Sequence, residues 1–163
     1  MDIKSGTLYI VSTPIGNLND ITNRAIEILN KVDICAAEDT RNSIKLFNAF
    51  DINTKLTSYH KFSEKSKTTG LIKYLLNGKD VALISDAGTP LISDPGKYLV
   101  NKAIEEGIKI IPIPGVSSII SAMSVSGFDD KFLFYGFLPK TQNDLEKILS
   151  SLSNYKFSQI FFI

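Results

Sequence analysis

VALISDAGTPLISDPG, residues 81–96, begins as a short apolar run and turns into a loop punctuated by Gly88, Pro90, Pro95 and Gly96 that carries Asp86, Ser93 and Asp94. A short apolar run bounded by turn residues reads as a buried strand. Glycine and proline hold the backbone that follows tightly, so its N–H and C=O groups can face a ligand instead of a neighbouring strand. Strand-to-helix connections usually take about two to six residues. This one is longer, which makes it a candidate site. Asp94-Pro95 predicts an N-cap and a first-turn proline opening a helix behind the loop.

Working outward, the same pattern recurs. TLYIVST (7–13) is a β-rich run stopped by Pro14-Ile15-Gly16-Asn17, and 108–113 is another, running into Pro114-Gly115-Val116-Ser117-Ser118. Between them lie a strand over 32–37 ending in Glu38-Asp39-Thr40-Arg41, and a strand near 55–59 followed by His60. Helices fill the gaps. Asn19 or Asp20 is positioned to cap one bearing Ile21, Ala25, Ile28, Leu29 and Val32; Ile44, Phe47 and Phe50 mark the next. Leu71, Ile72, Leu75 and Leu76 precede Gly78, and Tyr98, Leu99, Ala103 and Ile104 precede Gly107; a helix over 117–126 stops at Gly127. Regular alternation of this kind predicts right-handed crossovers and an α/β fold: a mostly parallel sheet with helices on both faces. In such sheets ligands bind beyond the carboxyl ends of the strands.

After residue 128 the pattern restarts as strand (FLFYGFL), helix (Thr141 and Asp144 resembling a capping box, then Leu145, Ile148, Leu149 and Leu152) and strand (158–163). One such unit does not readily bury its own apolar faces. The expectation is a first α/β domain over 1–128 and the first part of a second α/β domain, incomplete here, over 129–163.

Composition narrows the function. Eighteen basic against seventeen acidic residues leave a net charge of +1, which excludes a polybasic binder and confines any RNA contact to a local patch such as Lys61, Lys65, Lys67 and Lys73. The single cysteine, Cys35, permits no internal disulfide and suits a reducing cytoplasm; it reads as strand filler. One His and one Cys give no clustered ligands, so no metal is expected. The N-terminus lacks a signal peptide pattern, and the longest uncharged stretch, 110–128, is too broken by proline, glycine and serine to span a membrane. GxGxxG, GxxxxGK[ST] and GxSxG are all missing, which argues against a standard dinucleotide fold, a P-loop nucleotidase and a serine hydrolase. A site of backbone and small residues at three strand ends suits a ligand with an adenine, a ribose and modest charge.

STPIGNLNDIT (12–22), AEDTR (37–41), ALISDAGTPLISDPG (82–96), PIPGVSS (112–118) and GFLPK (136–140) together resemble the tetrapyrrole methylase superfamily. Within it they most resemble the family that 2′-O-methylates a cytidine of 16S small-subunit ribosomal RNA, and the likeness covers nearly all of the chain. The resemblance implies S-adenosyl-L-methionine as donor, a cleft between two α/β domains, a homodimer and a cytoplasmic setting. It places donor contacts at Pro14 and Gly16, at Ala87, Gly88, Thr89 and Ile92, and at Ser117 and Ser118 where a helix starts, with one more near Ile163. Candidates for accepting the ribose proton are Asp39, Asp86 and His60, with Arg41 orienting a carboxylate or a phosphate. Methylation of a porphyrin-like small molecule and a non-catalytic fragment are the alternatives.

Overall fold

The structure, a computed structural model, describes residues 4–162. Contact density divides the chain into two compact units, Met1–Ser117 and Ser118–Ile163. This division groups the helix over Ser118–Ser126 with the second unit, whereas the break in the sequence pattern after residue 128 leaves it with the first.

The first unit runs β1 (Thr7–Val11), α1 (Asn23–Lys31), β2 (Ile34–Ala37), α2 (Thr40–Ala49), β3 (Leu56–Ser58), α3 (Glu64–Leu76), β4 (Val81–Ile84), α4 (Lys97–Glu105) and β5 (Lys109–Ile113). Its strands form one parallel sheet in the order β3-β2-β4-β1-β5. All five carboxyl ends therefore lie along one edge. Pro112, which has no N–H to give a ladder, sits on β5 at the margin of the sheet, where proline is tolerated.

Side-chain alternation along each strand sorts the core into two layers. Leu8, Ile10, Ile34, Ala36, Val81 and Leu83 point to the face covered by α3 and α4, through Leu71, Leu75, Leu99 and Ala103. Tyr9, Val11, Cys35, Ala37, Ala82 and Ile84 point to the face covered by α1 and α2, through Ala25, Leu29, Leu46 and Phe47. The crossovers reverse direction between these pairs: α1 and α2 carry the chain toward β3, and α3 and α4 carry it back toward β5. Helices on both faces are the expected fold class.

Three local expectations are corrected. Helix α1 is capped by Thr22, whose hydroxyl accepts from the Ala25 N–H at 3.1 Å; Asn19 and Asp20 instead belong to a short 3₁₀ turn, Leu18–Asp20, capped by Asn17. Helix α4 starts at Lys97 behind Gly96, whose φ of +134° breaks the chain direction, so Asp94 does not cap it. On α2, Leu46 and Phe47 enter the core while Ile44 stays exposed.

The second unit contains α5 (Ser118–Ser126), β6 (Phe132–Phe137), α6 (Gln142–Leu152) and β7 (Ser158–Phe162). β6 and β7 pair in parallel with an irregularity between Phe134 and Gly136, and the Phe162 ring packs between those of Phe134 and Phe137. Thr141 caps α6 as the pattern predicts, its hydroxyl accepting from the Asp144 N–H; the Asp144 carboxylate accepts from that same hydroxyl.

Candidate functional site

Three strand exits meet on one rim of the first unit. The Thr13 N–H donates to the Gly88 carbonyl at 2.9 Å and the Gly88 N–H donates back at 3.0 Å, an antiparallel bridge between the loops after β1 and β4. Beside it the Ser12 and Thr89 hydroxyls share a hydrogen bond of 2.8 Å, and the Ser12 N–H donates to the Ile113 carbonyl at 3.2 Å. A Cβ on Gly115 would stand 2.8 Å from the Ser12 Cβ, so only glycine lets the chain leaving β5 come this close. Pro14, Gly88 and Thr89 thus share an edge with the exit that leads to Ser117.

The loop between β4 and α4 is held in an unusual shape. Gly88, Leu91, Ser93 and Gly96 all have positive φ, at +81°, +74°, +67° and +134°. Two of the four are not glycine, and such residues cost on the order of 1–2 kcal/mol each. Buried Pro90, together with the Gly96 N–H bonded to the Glu64 carboxylate at 2.6 Å, holds the loop in place. Ala87 and Ile92 are exposed on it, and Gly16 is exposed on the loop after β1. Ser118 begins α5 in the second unit, and Ile163 lies outside the described residues.

Further along the same edge, at the ends of β2, β3 and β4, charge replaces glycine. Asp39 is the N-cap of α2: its carboxylate accepts from the Arg41 N–H at 2.9 Å and from the guanidinium through Nε and Nη2, the latter at 2.6 Å. These bonds hold the Asp39 carboxyl well below the usual range, at about 2. The same pairing raises the Arg41 guanidinium. Asp86 accepts from the Asp39 N–H at 3.1 Å and from the Asn42 amide at 3.0 Å, tying the end of β4 to the start of α2. Glu38 is pushed up by burial first and then by its acidic neighbours Asp94, Asp86 and Asp39. Asp94 is raised by burial and by Asp86, against a hydrogen bond from Ser85.

Two hollows open here. One, of about 200 Å³, lies between Pro14 and Gly16, Asn42 and Lys45 of α2, and Ser85 and Asp86. The other, wider and about 560 Å³, is lined by Glu38, Asp39, Arg41, His60, Phe62 and Asp86. Asp86 forms part of both walls. His60 keeps its Nδ1 buried with no hydrogen-bond partner among the described residues. Cys35 is buried in β2 with its thiol pushed far up by burial, which leaves it inert.

The structure therefore brings Asp39, Arg41, His60 and Asp86 around one hollow, and Pro14, Gly88 and Thr89 onto one rim. Sequence reasoning overlooked Ser12 and Gly115, Asn42, and Phe62. The carboxyl groups of Glu38 and Asp94 were visible as charges, but their crowding against Asp86 arises only when strands far apart in sequence are paired. Among the described residues no three His, Cys, Asp or Glu side chains converge as a metal site, and no helix is long and apolar enough to cross a membrane.

Comparison with known proteins agrees with the motif resemblance. The model of the tetrapyrrole (corrin/porphyrin) methylases matches residues 7–150. A protein of Halalkalibacterium halodurans named ribosomal RNA small subunit methyltransferase I is 49% identical over 158 residues, covering 96% of this chain and 55% of its own. Its namesake from Mycoplasmopsis pulmonis is 49% identical over 162 residues, covering 93% of this chain and 73% of its own. The chain spans about half the length of most curated relatives it matches. Among solved structures, a uroporphyrin-III-C-methyltransferase from Thermus thermophilus superposes with a TM-score of 0.61 at 20% identity, covering 83% of this chain and 65% of that one; this is a likeness of fold alone. On the family match and these relatives, the chain belongs to the tetrapyrrole methylase family.

Proposed function

We propose that the chain serves in S-adenosyl-L-methionine-dependent 2′-O-methylation of a cytidine in 16S small-subunit ribosomal RNA, as a cytoplasmic homodimer. The relatives' names supply the reaction class and the RNA. The observation that carries the donor site is the rim where Thr13 pairs with Gly88 while Ser12 touches Thr89 and Gly115.

That rim fits a nucleoside-bearing donor. It is made of backbone and hydroxyl groups, and the glycine at 115 lets the chain leaving β5 pack directly against Ser12. Pro14, Gly16, Ala87, Gly88, Thr89 and Ile92 would hold the donor, with Ser117, at the end of the chain leaving β5, for its carboxylate. When bound, the donor supplies an electrophilic methyl group on a positively charged sulfur. The residues then have to align the ribose hydroxyl with that methyl group, and positioning of this kind is worth about 7–11 kcal/mol in well-oriented reactions. Asp86, exposed and shared by both hollows, is the group we assign to accept the hydroxyl proton. Asp39 is a poor base because its carboxyl is held at about 2; it positions Arg41 for a phosphate. His60 shapes the hollow.

Calorimetric titration of the chain with S-adenosyl-L-methionine tests the donor site. Micromolar binding, about −8 kcal/mol, weakened by Gly115→Val, is expected. Absence of binding heat overturns the assignment. Transfer of a labelled methyl group to small-subunit ribosomal RNA tests the reaction.

A further inference from the structure

The wider hollow combines three kinds of wall that no single role within the fold explains. Phe62 is 95% exposed, a large ring that buries almost nothing, set edge-on to His60 with centroids 6.2 Å apart. Arg41 is 89% exposed and held in place by Asp39 through Nε and Nη2, so that Nη1 has no protein partner among the described residues. Exposed Lys61 and Lys65 flank Phe62 in the chain. Glu38 and Asp86 also line the hollow; both Asp86 oxygens already accept hydrogen bonds, from the Asp39 N–H and the Asn42 amide, which leaves the Glu38 carboxylate as the acceptor.

A metal ion would explain the carboxylates but not the ring, and an acidic peptide would meet Glu38 and Asp86 as like charges. An exposed aromatic ring, a guanidinium and a carboxylate acceptor around one hollow match a nucleobase carrying an exocyclic amino group on a phosphate chain. The volume of about 560 Å³ lies within the range of about 300–1,000 Å³ usual for small-ligand sites.

We propose that this hollow seats one unstacked base of an RNA strand, its face on Phe62, its amino group toward the carboxylate of Glu38, and a flanking phosphate on Arg41. The inference rests on the reading of the substrate as RNA and adds a seat and a discrimination. Cytosine offers the Glu38 carboxylate its N4 amino hydrogens; uracil offers a carbonyl oxygen in the same place and is repelled.

Fluorescence titration of the chain with short single-stranded RNA oligonucleotides, identical except for a central cytidine or uridine, tests it. Phe62→Ala is expected to weaken the cytidine oligonucleotide about tenfold, the order of one lost base–aromatic stack, and Phe62→Trp to retain affinity. Because Phe62 is almost wholly exposed, neither change disturbs the core. Arg41→Gln lowers the salt slope by about 0.7, the value for one phosphate contact to a single strand. Glu38→Gln narrows the preference for cytidine.

Wild-type affinity in Phe62→Ala, equal binding of the two oligonucleotides, or no binding of either overturns the proposal. Phe62-dependent, cytidine-preferring binding without methyl transfer to small-subunit ribosomal RNA supports the seat and overturns the reaction. Methyl transfer with Phe62→Ala unchanged in affinity overturns the seat alone.

Discussion

The two units are written in the same strand–helix alternation and differ in how much apolar surface they close. In the first, five parallel strands carry helices on both faces, and both layers of the core are sealed. In the second, Leu152 is the one buried apolar side chain among the described residues, while Tyr135, Phe137, Leu149 and Phe157 stay exposed. A parallel pair with one crossover helix has too few neighbours to cover itself, since parallel sheets need protection on both faces. Strand number also decides where a site forms. The rim at Ser12, Gly88 and Gly115 exists because β4, β1 and β5 end side by side, an arrangement two strands cannot provide.

The sharpest way to break this comparison is to truncate one apolar side chain in each unit. Leu29 is fully buried beneath α1, and Leu29→Ala is expected to cost about 2–5 kcal/mol. Phe137 is mostly exposed on β6, and Phe137→Ala is expected to stay within about 0.5 kcal/mol. Urea unfolding followed by circular dichroism measures both. Similar losses at the two positions would mean that the second unit contributes as much buried core as the first.

Much of this is legible in the amino-acid sequence, and the reasons are local. Glycine and proline at each strand end, with helical spacing between, were enough for the parallel sheet, its helices and the loops on one rim, because strand exits in a parallel sheet share an edge. What the sequence hid was long-range or conformational. Asp94-Pro95 has the residue types of a helix start, yet Gly96 at φ +134° turns the chain first. Thr22 and Asp20 are both good capping residues, and only the 3₁₀ turn over Leu18–Asp20 decides between them. The Asp86 bonds to Asp39 and Asn42 join segments more than forty residues apart, which no spacing rule reaches. Phe62, set among lysines, was overshadowed by their charge, and its exposure is a tertiary fact.

Glycine substitutions sharpen the contrast within the first unit. At Gly96 a Cβ would stand 2.6 Å from the Leu83 Cδ2, in a backbone conformation that side chains rarely adopt. Gly96→Ala should therefore cost about 1–3 kcal/mol and loosen the loop that carries Gly88 and Thr89. Gly70, in α3, has open space around its Cβ position and no positive φ. Gly70→Ala should stabilise by about 0.5–1 kcal/mol through helix propensity. Midpoints of thermal unfolding separate the two, and a loss at both positions would show that α3 has no room to spare.

The smallest expected effect concerns what the closed unit gives up at its rim. Glu38 sits part-buried at the end of β2 beside Asp94, Asp86 and Asp39, and burial with these like charges raises its carboxyl above the ordinary glutamate range. The folded state then binds that proton more tightly than the unfolded chain does. Its contribution to stability is present in full below the unfolded glutamate value and is lost as pH rises through the raised one. Glu38→Gln removes this dependence, so the variant should be slightly more stable than wild type at neutral pH and should lose that advantage below about pH 4. Unfolding midpoints across that window read the difference directly. A variant less stable than wild type at neutral pH would mean that the Glu38 carboxylate supports the fold, which would favour a structural brace at the strand end over a group held ready for a ligand.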